Sequence, residues 1–128
     1  MESATSPSSM IPIYSSRGDT EAFLVYPNIF NRNGEWIGWV TSKREVYSVL
    51  GYYVGYLSND PRILRKRATS TLKPRLNPPP YPGRIRVPAT IALAPMLSEL
   101  THIVVDVLAD EPERMHTLDA GELREDLD

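Results

Sequence analysis

The sequence predicts an all-β fold: a small closed or ring-like repeat of about four short β-hairpins, with a Pro-rich linker and a C-terminal arm. Three observations carry this reading. Residues 29–40 read IFNRNGEWIGWV and residues 46–57 read VYSVLGYYVGYL, the same pattern 17 residues further on. Aligned without gaps, they share an aliphatic, an aromatic, a Gly, a second aromatic, a β-branched residue, a second Gly, a third aromatic and a final aliphatic. A glycine turn signal lies within each copy. The flanking runs are rich in Ile, Val, Tyr, Trp and Phe, which favour strands.

Taken in chain order, IYSSRGDTEAFL (13–24) is an earlier copy, with Ala22 in place of the second Gly. Asn33-Gly34 is the strongest hairpin signal, because both residues tolerate positive φ in a type I′ turn. Arg17-Gly18 and Leu50-Gly51 are its weaker equivalents. Ile63-Leu64 opens a degenerate fourth copy, in which Leu72 stands at the second Gly and Pro74 at the final aliphatic. Residues 41–45 and 58–61 connect the copies. A propeller blade needs four strands and about 40 residues, so this shorter spacing predicts one hairpin per copy, closed so that strand edges are paired. The Gly34 to Gly38 and Gly51 to Gly55 spacings mimic a membrane-helix dimer motif, but no run of about 20 apolar residues carries them.

The two-residue period of a strand assigns the faces. Ile37 and Trp39 share one face, with Val54 and Tyr56 as equivalents. Trp36, Gly38 and Val40 share the other, matched by Tyr53, Gly55 and Leu57. Neither face is polar, so the second is expected to be covered by the C-terminal segment or by another subunit. Trp36, Trp39, Tyr53 and Tyr56 are read as packing residues, of core or interface, and are the candidate interface anchors, since aromatics concentrate at interface centres. A ligand-stacking platform is the alternative use of these rings.

At 128 residues the chain is one domain with tails. The expected partition is a disordered leader (1–10), the hairpin-repeat domain (11–74), the linker and apolar arm (75–109) and an acidic tail (110–128). The arm is expected to pack on the repeat domain or on a neighbouring subunit. The net charge is only −2, but it is uneven: Arg62 to Arg86 holds eight basic residues and no acidic one, and ten acidic residues follow from Glu99 onward. Such asymmetry marks an interaction tail or a self-screening pair of segments. No cysteine is present, which excludes thiol chemistry and disulfides. The first ten residues lack a basic start and an apolar core, so a cytoplasmic location is expected. Residues 73–88, KPRLNPPPYPGRIRVP, read as an extended connector containing a formal PxxP at Pro79–Pro82. Arg84-Ile85-Arg86-Val87 is a candidate edge strand. In the arm, a short helix over Pro95–Leu100 followed by an extended segment is expected, with the block acting as a lid on the hairpins.

Catalytic patterns are absent from this reading. His102 and His116 are the only histidines and lack metal-ligand spacing. His102 lies in an apolar block and reads as packing, while Asp60 before Pro61 reads as a turn residue. No phosphate or dinucleotide fingerprint occurs. The chain is therefore expected to be a non-enzymatic protein-interaction or assembly module, self-associating or binding a protein partner, with no cofactor, no metal and no membrane contact. The alternative is nucleic-acid binding by Arg62, Arg65, Lys66, Arg67, Arg84 and Arg86, through phosphate neutralisation beside aromatic platforms.

The pattern in Ile29–Val40 and Val46–Leu57 resembles the bacterial 4-fold beta flower proteins, and the resemblance spans Ile13 to Pro74. It implies short β-hairpins arranged around a pseudo-fourfold axis. Gly51-Tyr52-Tyr53-Val54-Gly55-Tyr56-Leu57 also looks similar to strands of PRC-barrel domains. That family includes a ribosome-maturation factor and a photosynthetic reaction-centre subunit, both working through protein contacts. The acidic residue common in the PRC-barrel turn is Asn33 or Leu50 here. Neither resemblance brings catalytic residues.

Overall fold

The computed structural model describes residues 10–67, 73–89, 91 and 93–119. Eight strands form one sheet in chain order: β1 (Met10–Tyr14), β2 (Thr20–Val25), β3 (Asn28–Asn31), β4 (Trp36–Val40), β5 (Glu45–Ser48), β6 (Tyr53–Leu57), β7 (Ile63–Lys66) and β8 (Val104–Asp106). Every neighbouring pair is antiparallel. A four-residue helix α1 (Val107–Asp110) and a 3-10 turn (Pro112–Arg114) follow.

One loop design recurs along the sheet. The amide of the first loop residue donates to the carbonyl of the fifth in Ser15–Asp19, Asn31–Glu35, Thr41–Glu45, Ser48–Tyr52 and Ser58–Arg62. In each, the side-chain oxygen of the first residue also accepts loop amides, as Asn31 Oδ1 does from Asn33 and Glu35, both at 2.9 Å. Ser, Thr and Asn suit this role because their short side chains cap the backbone locally. The expected type I′ turn is corrected. Gly34 has φ 80°, but Asn33 is not left-handed, so the connection is a three-residue loop ending on a left-handed residue. Gly18 and Gly51, both at φ 91°, hold the equivalent position.

Arg44 takes that place in the 41–45 loop at φ 65°, the one left-handed non-glycine residue among those described. Its side chain offsets the strain by donating from Nε to Leu57 O at 2.8 Å and from Nη2 to Ser58 O at 2.7 Å. Arg44→Ala keeps a left-handed penalty of about 1 kcal/mol while losing both bonds. Arg44→Gly loses the bonds and the penalty together. We expect thermal unfolding to rank the glycine variant above the alanine variant by about 1 kcal/mol; equal stabilities would refute the strain argument.

Register shifts occur at matching places in three hairpins. Ile13 pairs Ala22 while Tyr14 pairs Thr20; Ile29 pairs Gly38 while Phe30 pairs Trp36; Val46 pairs Gly55 while Tyr47 pairs Tyr53. Glu21, Ile37 and Val54 are the extra residues, and a bulge of this kind breaks the alternation of faces. The face assignment from simple alternation is therefore corrected. Ile37, Val40, Val54 and Leu57 join Ile13, Ile29, Val46 and Ile63 in one core cluster. Trp36 and Trp39, expected on opposite faces, share a second cluster with Phe30 and Tyr47. Gly55 lies where a strand backbone closes in, since a Cβ there would meet Leu64 O at 2.1 Å.

Three bonds curl the sheet. Val40 donates to Pro27 O, Leu57 to Arg44 O and Tyr14 to Pro61 O, and the acceptors are spaced by 17 residues. The last bond brings the end of β1 against the segment before β7. β7 pairs with β8, so the eighth strand comes from the arm, beyond residue 74. Arg65 stands where Asn31 and Ser48 open their loops and has no short capping oxygen; residues 68–72, with the expected Leu72 position, lie outside the described residues. Val107 and Met115 complete the first core cluster, and Met115 Cε lies 2.6 Å from where a Gly38 Cβ would stand.

The expected helix over Pro95–Leu100 is absent, and these residues are irregular. A single turn without packing is unstable in water, and Met96 is 98 % exposed. The expected extended segment is found as β8. Residues 84–87 form no strand. The first part of the expected tail is folded: Pro112–Arg114 form the 3-10 turn and Met115 is buried. β1 begins at Met10, the last residue of the expected leader; residues 1–9 and 120–128 lie outside the described residues.

Candidate functional site

The outer aromatic cluster is the first candidate surface. Trp39 stacks on Tyr47 with ring centroids 5.0 Å apart, and Tyr47 meets Tyr53 edge-on at 5.7 Å. Trp39 Nε1 donates to Ser48 O at 3.1 Å. Burial pushes the Tyr47 and Tyr53 hydroxyls above the usual tyrosine range. Trp36 and Trp39 are 4 % and 9 % exposed, so both are interior side chains; Tyr53 and Tyr56 are half-buried. The chain's own Pro-rich segment supplies the cover, through Leu76 and Ile85 and through Tyr81 tilted on Trp36 at 5.9 Å. Residues 73–88 thus act as a strap. Its start is held by Lys73, which pairs with Glu45 at 2.9 Å and lies over the Tyr53 ring.

The strap meets two hairpin tips in the same way. Ile85 donates to Gly34 O and Leu76 donates to Gly51 O, both at 3.0 Å. A Cβ on Gly34 would stand 2.1 Å from Ile85 O, and one on Gly51 would stand 2.0 Å from Leu76 O. Only glycine admits so close a backbone. At Gly18, by contrast, a Cβ would meet nothing within 4 Å among the described residues.

A polar cluster joins the first hairpin tip, the start of β7 and the arm. Arg62 is 1 % exposed. Its guanidinium forks onto Asp60, with Nη2 to Oδ2 at 2.6 Å and Nε to Oδ1 at 3.2 Å. Nη1 donates to Ser16 Oγ at 2.8 Å, and Nη2 to Ser98 O at 2.9 Å. Ser16 in turn donates from Oγ and from its amide to Asp106 Oδ2, at 2.5 and 2.6 Å. Burial alone would raise the Asp60 carboxyl, but hydrogen bonds from Arg62 and Ser58 outweigh it and hold the group at about 2. Beside the cluster lies a cavity of about 480 Å³, walled by Ser16, Arg17 and residues 97–101 together with Val104, Asp106, Ala109 and Asp110. Of its charged groups, Arg62 and Asp106 are engaged in holding segments together. Among the described residues no cluster of His, Asp and Glu is placed to hold a metal ion.

The basic stretch is divided by the fold. Arg62 is interior. Arg65 pairs with Glu111 at 2.9 Å, and its hydrogen bond holds that carboxyl below its ordinary value, with help from Arg114. Arg67 Nε donates to His102 O, and Arg84 Nη2 to Asn33 O on a hairpin tip. Lys66 and Arg86 are exposed. The basic and acidic segments therefore screen one another in part, at Arg65 and Glu111.

Two features carry local signals in the sequence: the Ser/Thr/Asn that opens each loop, and the Ser58-Asn59-Asp60-Pro61-Arg62 run that builds the polar cluster. The arm adds a third feature. Leu93 is 92 % exposed and Met96 98 %, the most exposed large apolar residues described.

Taken together, the curled antiparallel sheet, the glycine tips and the strap define a small all-β hairpin domain. The chain belongs to the 4-fold beta flower protein family, whose model matches residues 11–98. No curated protein and no solved structure matched the chain. Among the described residues no helix is long and apolar enough to cross a membrane.

Proposed function

We propose that this chain is a non-enzymatic interaction module that self-associates through its arm. In this reading four hairpin units surround one axis, with β7 and β8 as the fourth, and the Pro-rich strap locks them into a rigid scaffold. The scaffold presents residues 93–97 at its surface in the bacterial cytoplasm. The observation that carries the reading is the near-complete exposure of Leu93 and Met96. Two large apolar side chains this close together, on a segment fastened by Ile85 before it and Ser98 after it, cost solvation unless a partner covers them.

The test is light scattering after size exclusion, at low and high salt, on the full chain and on a Leu93→Asp/Met96→Asp variant. Association of the wild type that withstands salt and is lost in the variant is expected, because apolar contacts are little screened. A wild type that stays monomeric across the concentration range would overturn the proposal.

A further inference from the structure

The hairpin tips form a repeated docking register for extended chain, with one position open. At Gly34 and Gly51 the arrangement is the same. A left-handed glycine offers its carbonyl to a strap amide, and the strap carbonyl lies against the glycine Cα, where a side chain would stand. The strap residues that dock, Leu76 and Ile85, are aliphatic and nine positions apart. Gly18 has the same φ as Gly51, 91°, and its loop makes the same two closing bonds. Among the described residues nothing stands within 4 Å of where its Cβ would be. Nine positions beyond Ile85 stands Ala94, between the exposed Leu93 and Met96.

Leu93 and Met96 of the chain's own arm do not cover this tip. Arg62 holds Ser98 through its carbonyl at 2.9 Å and its hydroxyl at 3.1 Å. Residues 97–101 therefore wall the cavity beside Ser16 and Arg17, and Leu93 and Met96 face solvent. An open receptor and an uncovered apolar segment that do not meet within one molecule are complementary between molecules. Reciprocal exchange closes a symmetric pair with two identical contacts, each reinforcing the other.

We infer that the Ser15–Asp19 hairpin tip receives residues 93–97 of a second copy of this chain, with the Gly18 carbonyl accepting a backbone amide as Gly34 and Gly51 do. The inference rests on the self-association proposed above and adds the receptor. Thr20 occupies the place that Trp36 and Tyr53 take in the other hairpins, so the apolar seat is narrower, and slender flexible side chains such as Met96 suit it.

The chain has no cysteine, so single thiols report cleanly. An Arg17→Cys chain is mixed with an Ala94→Cys chain under mild oxidation, beside a control mixture of Asn33→Cys with Ala94→Cys. Residue 33 precedes Gly34, whose place the strap already fills. The 17–94 heterodimer should form several times faster than the 33–94 control, and Leu93→Asp/Met96→Asp in the Ala94→Cys chain should remove the advantage. Self-association in light scattering with no preference for 17–94 over 33–94 would overturn this receptor and leave the assembly proposal standing. A monomer at all concentrations would overturn both.

Discussion

Replacing Arg62 with leucine is expected to destabilise the chain by about 3–5 kcal/mol, the usual consequence of removing one partner from a buried ionic cluster. The guanidinium touches Asp60, Ser16 and Ser98 at once, so its loss strands a carboxylate and frees the first hairpin tip and the arm. Arg62→Lys should recover only part of the loss, because an ammonium cannot reproduce the planar fork. Urea denaturation measures both variants, and a cost below about 1 kcal/mol for Arg62→Leu would show that the cluster does not join these segments. Acid supplies an independent check. The Asp60 pKa falls from 3.8 unfolded to about 2 folded, a depressed carboxylate. Its stabilisation is present above pH 3.8 and is lost as the pH falls through about 2. With allowance for residual solvent screening this is about 1–2 kcal/mol, and in Arg62→Leu the acid-dependent component should shrink, with the Ser58 hydrogen bond left as its remainder.

Gly34→Ala and Gly51→Ala should each cost about 2–4 kcal/mol, and Gly18→Ala only about 1 kcal/mol. All three positions are left-handed, so all three incur the backbone penalty. At Gly34 and Gly51 the new methyl also collides with a strap carbonyl at 2.1 and 2.0 Å, and this obstacle is backbone. The strap should lift from the aromatic cluster. Trp36 would then shift its fluorescence to the red, and residues 73–88 would become open to proteolysis. Equal costs at all three glycines would mean that the strap contributes nothing to stability.

Much of the architecture was legible. Matching aromatics and glycines in 29–40 and 46–57 identified the hairpins, because residues with the same local preferences in the same order build the same unit. The family followed from the same residues. The expected faces failed at Trp36 and Trp39 for a local reason: the bulges at Ile37 and Val54 are set by cross-strand pairing, and alternation along one strand cannot report them. The candidate surfaces were harder to read. The aromatics looked available for partners because nothing local says that Leu76, Tyr81 and Ile85 fold back over them. Arg62 looked like one of a basic run, though it is the most buried charge in the polar cluster.

The sequence by itself determined the secondary structure class, the hairpin unit, its glycine tips and its spacing, since these follow from backbone preferences over a few residues. Tertiary structure alone decided that β8 from the arm completes the sheet, that the strap covers the tryptophans, and that Arg62 fastens three distant segments. Those outcomes depend on which segments meet after loops of tens of residues close. The closure cost of such loops grows only slowly with length, so their destinations are selected by packing and pairing rather than by local sequence.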